Sequence, residues 1–123
     1  MVSIIKEINQ GLQQATGLSV FAELPNDTFN LPLLVVTERS NELRNVAFDG
    51  RVEVAQLQYE ITVFSNEPHD IFTYQEMIDS YLNQNVKRFI CSVGQVEQNY
   101  PIYHRTLSVQ VTVQRVGEDY YIL

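Results

Sequence analysis

Cysteine is nearly absent from this 123-residue chain: Cys91 stands alone, so no intramolecular disulfide can form and no thiolate-rich metal cage is available. A reducing compartment is the simpler assumption. Basic residues are also scarce, with 8 Lys and Arg against 15 Asp and Glu for a net charge of −7, and phosphate binding needs a Lys/Arg surplus on one face. That balance argues against nucleic acid as the main ligand. Only 5 glycines are present, leaving little material for a phosphate-cradling loop, and Gly-x-Ser-x-Gly, Walker and Gly-x-Gly-x-x-Gly patterns are missing. No run of about 18 apolar residues exists to span a membrane. Lys6 and Glu7 interrupt the N-terminal stretch, which excludes the apolar core of a signal peptide.

What the chain does have is alternation. From Val52 to Ser65, Leu57, Tyr59, Ile61 and Val63 alternate with Gln56, Gln58, Glu60 and Thr62, the period of a strand with one buried and one wet face. The pattern returns from Thr106 to Val116, where Leu107, Val109, Val111 and Val113 alternate with Ser108, Gln110, Thr112 and Gln114. Both outer faces are Gln and Thr rather than Lys and Glu. Such side chains hydrogen-bond without carrying charge, so this face suits a neighbouring subunit or a wet channel at modest desolvation cost.

Around these two strands the other elements fall into order. Ile4 or Ile5, Ile8, Leu12 and Ala15 predict a short amphipathic helix capped by Ser3 and stopped at Gly17. A short strand over Ser19 to Ala22 leads into a turn at Leu24-Pro25-Asn26-Asp27. Leu33 to Thr37 predicts a strand buried on both faces. Between Arg39 and Arg51 the pattern dissolves, which predicts a connection far longer than a hairpin needs. After Ser65, Asn66 and Pro68, the spacing of Ile71, Tyr74, Met77 or Ile78, and Tyr81 or Leu82 predicts a second helix. A strand over Phe89 to Glu97, a turn at Asn99-Tyr100-Pro101 and a last strand from about His104 to Val116 complete the chain.

The expected architecture is a single α+β domain spanning residues 1–123. It has one mixed, mostly antiparallel sheet of four to five strands, with two helices packed on one face. The strand–helix–strand unit in its middle reads as a right-handed crossover and the flanking pairs read as hairpins.

No catalytic, cofactor-binding or metal-binding residues are assigned. His69 and His104 are the acid–base or metal candidates, but neither has a second ligand at helical or hairpin spacing, which assigns them structural or solvent-facing roles. Glu76 and Asp79 share a helical face and read as solvated surface. Phe48, Tyr59, Phe64, Phe72, Tyr74, Tyr81 and Phe89 could stack bases, yet Tyr59, Tyr74 and Tyr81 fit buried positions, so most of the set reads as core. Along the long connection, Arg39, Arg44 and Arg51 are interleaved with Glu38, Glu42, Asp49 and Glu53, a mixture suited to a protein partner rather than to phosphate. Leu43, Val46 and Phe48 supply apolar anchors there. The ending Tyr120-Tyr121-Ile122-Leu123 is apolar for a terminus and predicts docking, on the chain's own core or on a neighbour. These ten residues, Arg39, Leu43, Arg44, Val46, Phe48, Arg51, Tyr120, Tyr121, Ile122 and Leu123, form the candidate assembly interface.

In order and length of elements the chain resembles the tail terminators of long-tailed bacteriophages, small proteins that cap the tail tube. The resemblance rests on an N-terminal helix passing through Gly17-Leu18 into Val20-Phe21-Ala22, then Glu23-Leu24-Pro25 and an apolar strand after Pro32. It continues with Ile61-Thr62-Val63-Phe64-Ser65, a helix directly after, and the Arg105-Thr106-Leu107-Ser108-Val109 strand. The resemblance implies a non-enzymatic homo-oligomeric ring, typically a hexamer, without cofactors. Its partners would be the tail tube protein and a head connector or stopper protein, with DNA only as passing cargo and no membrane. Its place would be the tail or neck of the virion, after assembly in the bacterial host cytoplasm. Cyclic head-to-tail association is heterologous, one patch fitting a different patch on the neighbour. Two other readings stand beside it: another connector or minor capsid protein of the phage neck, and a ferredoxin-like ligand- or RNA-binding module using its sheet face. An enzyme using His69 or His104 ranks after these.

Overall fold

The computed structural model describes residues 4–24, 30–46, 52–86, 89–99, 102–116 and 119–122. In chain order the elements are α1 (Ile5–Thr16), β1 (Val20–Phe21), β2 (Leu33–Val46), β3 (Val52–Ser65), α2 (Pro68–Asn85), β4 (Phe89–Val93), β5 (Glu97–Asn99), β6 (Ile102–Val116) and β7 (Asp119–Ile122). The architecture is α+β with one mixed, mostly antiparallel sheet. Its strand order is β1-β2-β3-β6-β4, with β5 and β7 also paired to β6. Among the described neighbouring pairs, only β1 and β2 run parallel.

The two alternating segments are central. β3 and β6 pair antiparallel without a register shift from Val52↔Val116 to Ser65↔Tyr103. Because the register is uninterrupted, Ala55, Leu57, Tyr59, Ile61 and Val63 share one face with Leu107, Val109, Val111 and Val113, and all nine are buried. Gln58 and Ser108 are exposed on the opposite face, with Gln56, Glu60, Thr62, Thr106, Gln110 and Thr112 partly covered. The helices close the apolar face: Ile8 and Leu12 of α1, with Ile4 just before it, and Ile71, Ile78 and Leu82 of α2 join the same core. Each such side chain contributes roughly 1.5–3 kcal/mol on full burial. Leu33 to Val36 are all buried, as the apolar run implies, since β2 lies inside the sheet with β1 on its other edge.

Several boundaries differ from the expectation. The sheet has seven strands rather than four to five, because the stretch expected as one strand over Phe89 to Glu97 is two, β4 and β5, and because the C-terminus adds β7. Short strands of three to five residues carry too little alternation to be seen in sequence. β4, β5 and β7 follow one another along the outer edge of β6, opposite residues 107–111, 102–104 and 113–116. Since β6 is antiparallel to both β3 and β4, the β3–α2–β4 unit is a parallel crossover with β6 inserted between its strands.

Helix ends follow local chemistry. Gly17 takes the left-handed conformation at φ 74°, and its amide donates to the Gln13 carbonyl at 2.8 Å. The Thr16 hydroxyl donates to the Leu12 carbonyl and accepts from the Leu18 amide, satisfying a buried end. The expected Ser3 cap lies outside the described residues, and Ile4 takes the N-cap position with no side-chain cap bond. At α2, Pro68 fits the first turn, where its missing N–H costs nothing. Buried Ser65 donates to the Asp70 carboxylate at 3.1 Å and accepts from the Glu67 amide at 3.1 Å, tying the end of β3 to the start of α2.

Gly11 is the close-packing point between the helices, because a Cβ there would overlap the ring and hydroxyl of Tyr81. Replacing it with Ala gains about 1 kcal/mol of helix propensity. The overlap costs roughly 1–3 kcal/mol, so the loss outweighs the gain. Gly11→Ala is expected to lower the melting temperature in the wild-type background and to raise it in a Tyr81→Leu background, as thermal denaturation of the four variants of that cycle will read.

Candidate assembly surface

The Arg39 to Arg51 segment is not the long connection its sequence suggests. β2 continues through Val46 and pairs with β3 to Val46↔Glu53, leaving only residues 47–51 between the strands. Two register shifts hide the strand, one between Glu38 and Ser40 and one between Leu43 and Asn45. Each inserts one residue, and those residues are Arg39 and Arg44. A bulge flips the parity of everything after it, so the period-2 signal cancels across the segment. With both bulges allowed, Leu34 and Val36 pair with Val63 and Ile61, Leu43 pairs with Ala55, and Val46 pairs with Glu53, one alternate series on β3.

At the first bulge the Arg39 side chain lies across the polar face and donates to the Glu60 carboxylate at 2.8 Å, with 58% of its side chain exposed. That hydrogen bond, followed by the charge of Glu60, raises the guanidinium pKa. Beside it, Gln58 donates to Gln110 at 3.4 Å and the Thr62 and Thr106 hydroxyls meet at 3.0 Å. A shallow cleft of about 210 Å³ opens here, bounded by Arg39, Gln58, Glu60, Ser108 and Gln110. Tyr59 and Val109 also line it, and its polar rim is internally paired through Arg39–Glu60 and Gln58–Gln110. Such a face presents hydrogen-bonding groups to a partner at small desolvation cost.

The C-terminal segment is ordered in the backbone: β7 pairs Asp119 with Val116, Tyr120 with Arg115, Tyr121 with Gln114 and Ile122 with Val113. The backbone of this segment is thus paired to the chain's own sheet. This pairing brings β7 and the second half of β2 to one end of the sheet. The row Leu43–Ala55–Val113–Ile122 crosses the sheet, and Val46–Glu53–Arg115–Tyr120 is another. β2 and β7 stand three strand spacings apart, roughly 14 Å. In the first of these rows Ala55 and Val113 are still buried in the core. Phe48, Arg51 and Leu123 lie outside the described residues.

The remaining candidates separate. His104 meets Glu97 at 2.8 Å and stacks on Phe64 with centroids 5.3 Å apart, joining β5 to β6 and β3. His69 is exposed in the first turn of α2, where its carbonyl accepts from Thr73. Among the described residues, no three His, Cys, Asp or Glu side chains gather as a metal site would require. Burial, then the charge of Asp79, raises the Cys91 thiol pKa, the opposite of nucleophile activation. Tyr59 is core, and Tyr74 and Tyr81 pack against it from α2. Phe72 departs from the core assignment, with 51% of its surface exposed. Its position one residue off the Ile71–Ile78–Leu82 stripe was the available sequence signal.

Comparison with known proteins finds no matching family model and no matching curated relative. No helix among the described residues is long and apolar enough to cross a membrane.

Tyr59 ties this sheet to α1. Its buried hydroxyl donates to Glu38 at 3.3 Å and is bonded by the Ile4 backbone. Burial chiefly, then the Glu38 charge, raises its pKa far above the ordinary tyrosine value. The folded state therefore holds this proton more tightly than the unfolded chain. Its contribution is complete below the unfolded value of about 10 and is lost as pH rises through the folded value. Tyr59→Phe is expected to cost about 1 kcal/mol at neutral pH and to flatten the alkaline fall in stability, measured by urea unfolding between pH 8 and 11.

Proposed function

We propose that this protein is a non-enzymatic structural component of a phage virion, a tail terminator that forms a homo-oligomeric ring on the tail tube. In that role it ends tube polymerisation and joins the tail to the head connector, with DNA passing through. The observation that carries the proposal is the joint placement of the bulged half of β2 and the strand β7 at one end of a single sheet. That end carries the second bulge, at Arg44, and adjoins a Gln/Thr face with few charges. Bulges at sheet rims re-aim side chains toward partners, which is what a ring subunit contacting both a tube and a connector requires. The acidic balance also suits a conduit for DNA, since like charge disfavours adsorption.

Sedimentation of the protein at micromolar concentration, alone and with assembled tail tubes, tests the proposal: a ring that co-sediments with tube ends is expected. A chain that stays monomeric and never binds tubes overturns it. Arg39→Ala is expected to leave the melting temperature unchanged, because the pair with Glu60 is solvent-screened, yet to weaken capping of tubes in the same assay. The double variant Leu43→Ser and Phe48→Ser is expected to fold cooperatively and to assemble poorly. Loss of cooperative unfolding in that variant would place both side chains in the core instead.

A further inference from the structure

Two exposed apolar features occupy opposite edges of the sheet. On the β4 edge, Phe72 is 51% and Val93 is 42% exposed. The Arg105 guanidinium carbon lies 5.3 Å from the centre of the Phe72 ring. Its Nε donates to the Gly94 carbonyl at 2.9 Å and its Nη1 to Gln75 at 2.6 Å. Those two bonds fix the guanidinium plane and use two of its five donors, leaving capacity for a carboxylate. One helical turn on, exposed Glu76 repels an incoming acid, which leaves the Arg105 side of the ring as the approach. The surface is an apolar floor with one cation set in it.

On the β1 edge the chain leaves the strand through Ala22, Glu23 and Leu24, all exposed, with Leu24 at 37%. The Thr37 hydroxyl holds this exit by donating to the Ala22 carbonyl at 3.4 Å. Here an apolar tip stands beside an acid, the complement of the opposite edge.

The two features also share a level. Register runs Val36–Ile61–Leu107–Val93 straight across the sheet, and Thr37, which holds Ala22, adjoins Val36. Subunits meeting at the two ends of one row meet with little offset along the strands. Head-to-tail contacts close into rings when the rotation between subunits closes, and a shared level is compatible with such closure. A symmetric contact sets each residue against a different one across the two-fold axis, so self-pairing of the β4 edge is the alternative that Leu24→Asp separates, since that variant would leave such a contact intact.

We propose that the Phe72, Val93 and Arg105 patch of one copy receives Leu24 and Glu23 of the next, forming the head-to-tail contact between subunits. This inference rests on the ring proposed above and names its interface.

Complementary blocking of the two edges tests it, using the full chain and native mass spectrometry. Leu24→Asp disables one edge and Phe72→Asp the other, and as both side chains are exposed each variant is expected to melt with the wild type. Should Phe72→Asp melt early, Val93→Asp replaces it on the same edge, and Glu23→Arg serves on the other. Each variant alone is expected to weaken self-association by about tenfold or more. An equimolar mixture of the two retains one intact contact, so it is expected to give a one-to-one dimer and nothing larger. Single variants that assemble like the wild type overturn the inference while leaving a ring built on another surface. Single variants that lose assembly, with a mixture that stays monomeric, show that the two patches are not each other's partners and also overturn it. A wild-type chain that is monomeric at every concentration removes the ring itself.

Discussion

The unbroken antiparallel ladder between β3 and β6 is the constraint on which the rest of this molecule depends. Across fourteen residue pairs no bulge interrupts it, so the parity of each strand is kept from one end to the other. A slip of one residue would exchange faces, placing Leu57, Tyr59 and Ile61 in water and Gln58 and Glu60 under the helices. Both faces are thereby specified together: the buried one recruits α1 and α2, and the polar one is left for solvent or a partner. The Tyr59 hydroxyl adds a directed contact, reaching Glu38 on β2 and the backbone at the start of α1.

The flanks of the ladder are built in two different ways. On the β3 side, β2 follows the full length but absorbs two extra residues, and the bulges fall on Arg39 and Arg44. On the β6 side, three short strands share one edge, none longer than five residues. A long unpaired strand edge templates association with any other chain. Dividing the β6 edge among β5, β4 and β7 covers it while leaving only short outer segments to recruit another strand. The outer side of β2 is paired by β1 only at Leu34 and Val35, and beyond them the two bulges keep that edge from being flat.

Electrostatics points the same way. In a chain of net charge −7, the arginines whose side chains are described are each held in place: Arg39 by Glu60, Arg105 by Gly94, Gln75 and the Phe72 ring. A held cation on an acidic protein is a directional feature, since it orients an incoming acid while the remaining surface repels it. The contact of His104 with Glu97, and its stacking on Phe64, likewise hold β5 on the sheet.

The amino-acid sequence by itself determined the two long strands, both helices, the Gly17 stop and the α+β class, because each depends on a period or a local backbone preference that neighbouring residues carry. The second half of β2 was illegible there. Two inserted residues reverse the parity twice, and only pairing with β3 restores it. β4, β5 and β7 were partly or wholly hidden for a different reason: they are too short to show a period and exist because β6 offers an edge. Of the candidate surface, sequence singled out Arg39, Leu43, Arg44 and Val46 and, separately, Tyr120 to Ile122. That Leu43 to Val46 and Tyr120 to Ile122 lie at one end of the sheet, with Arg39 at mid-ladder beside Gln58 and Tyr59, was decided by strand order and register. Phe72, Val93, Arg105 and Leu24 passed unremarked as a surface, since exposure and the register level shared by two distant edges belong to the tertiary structure alone.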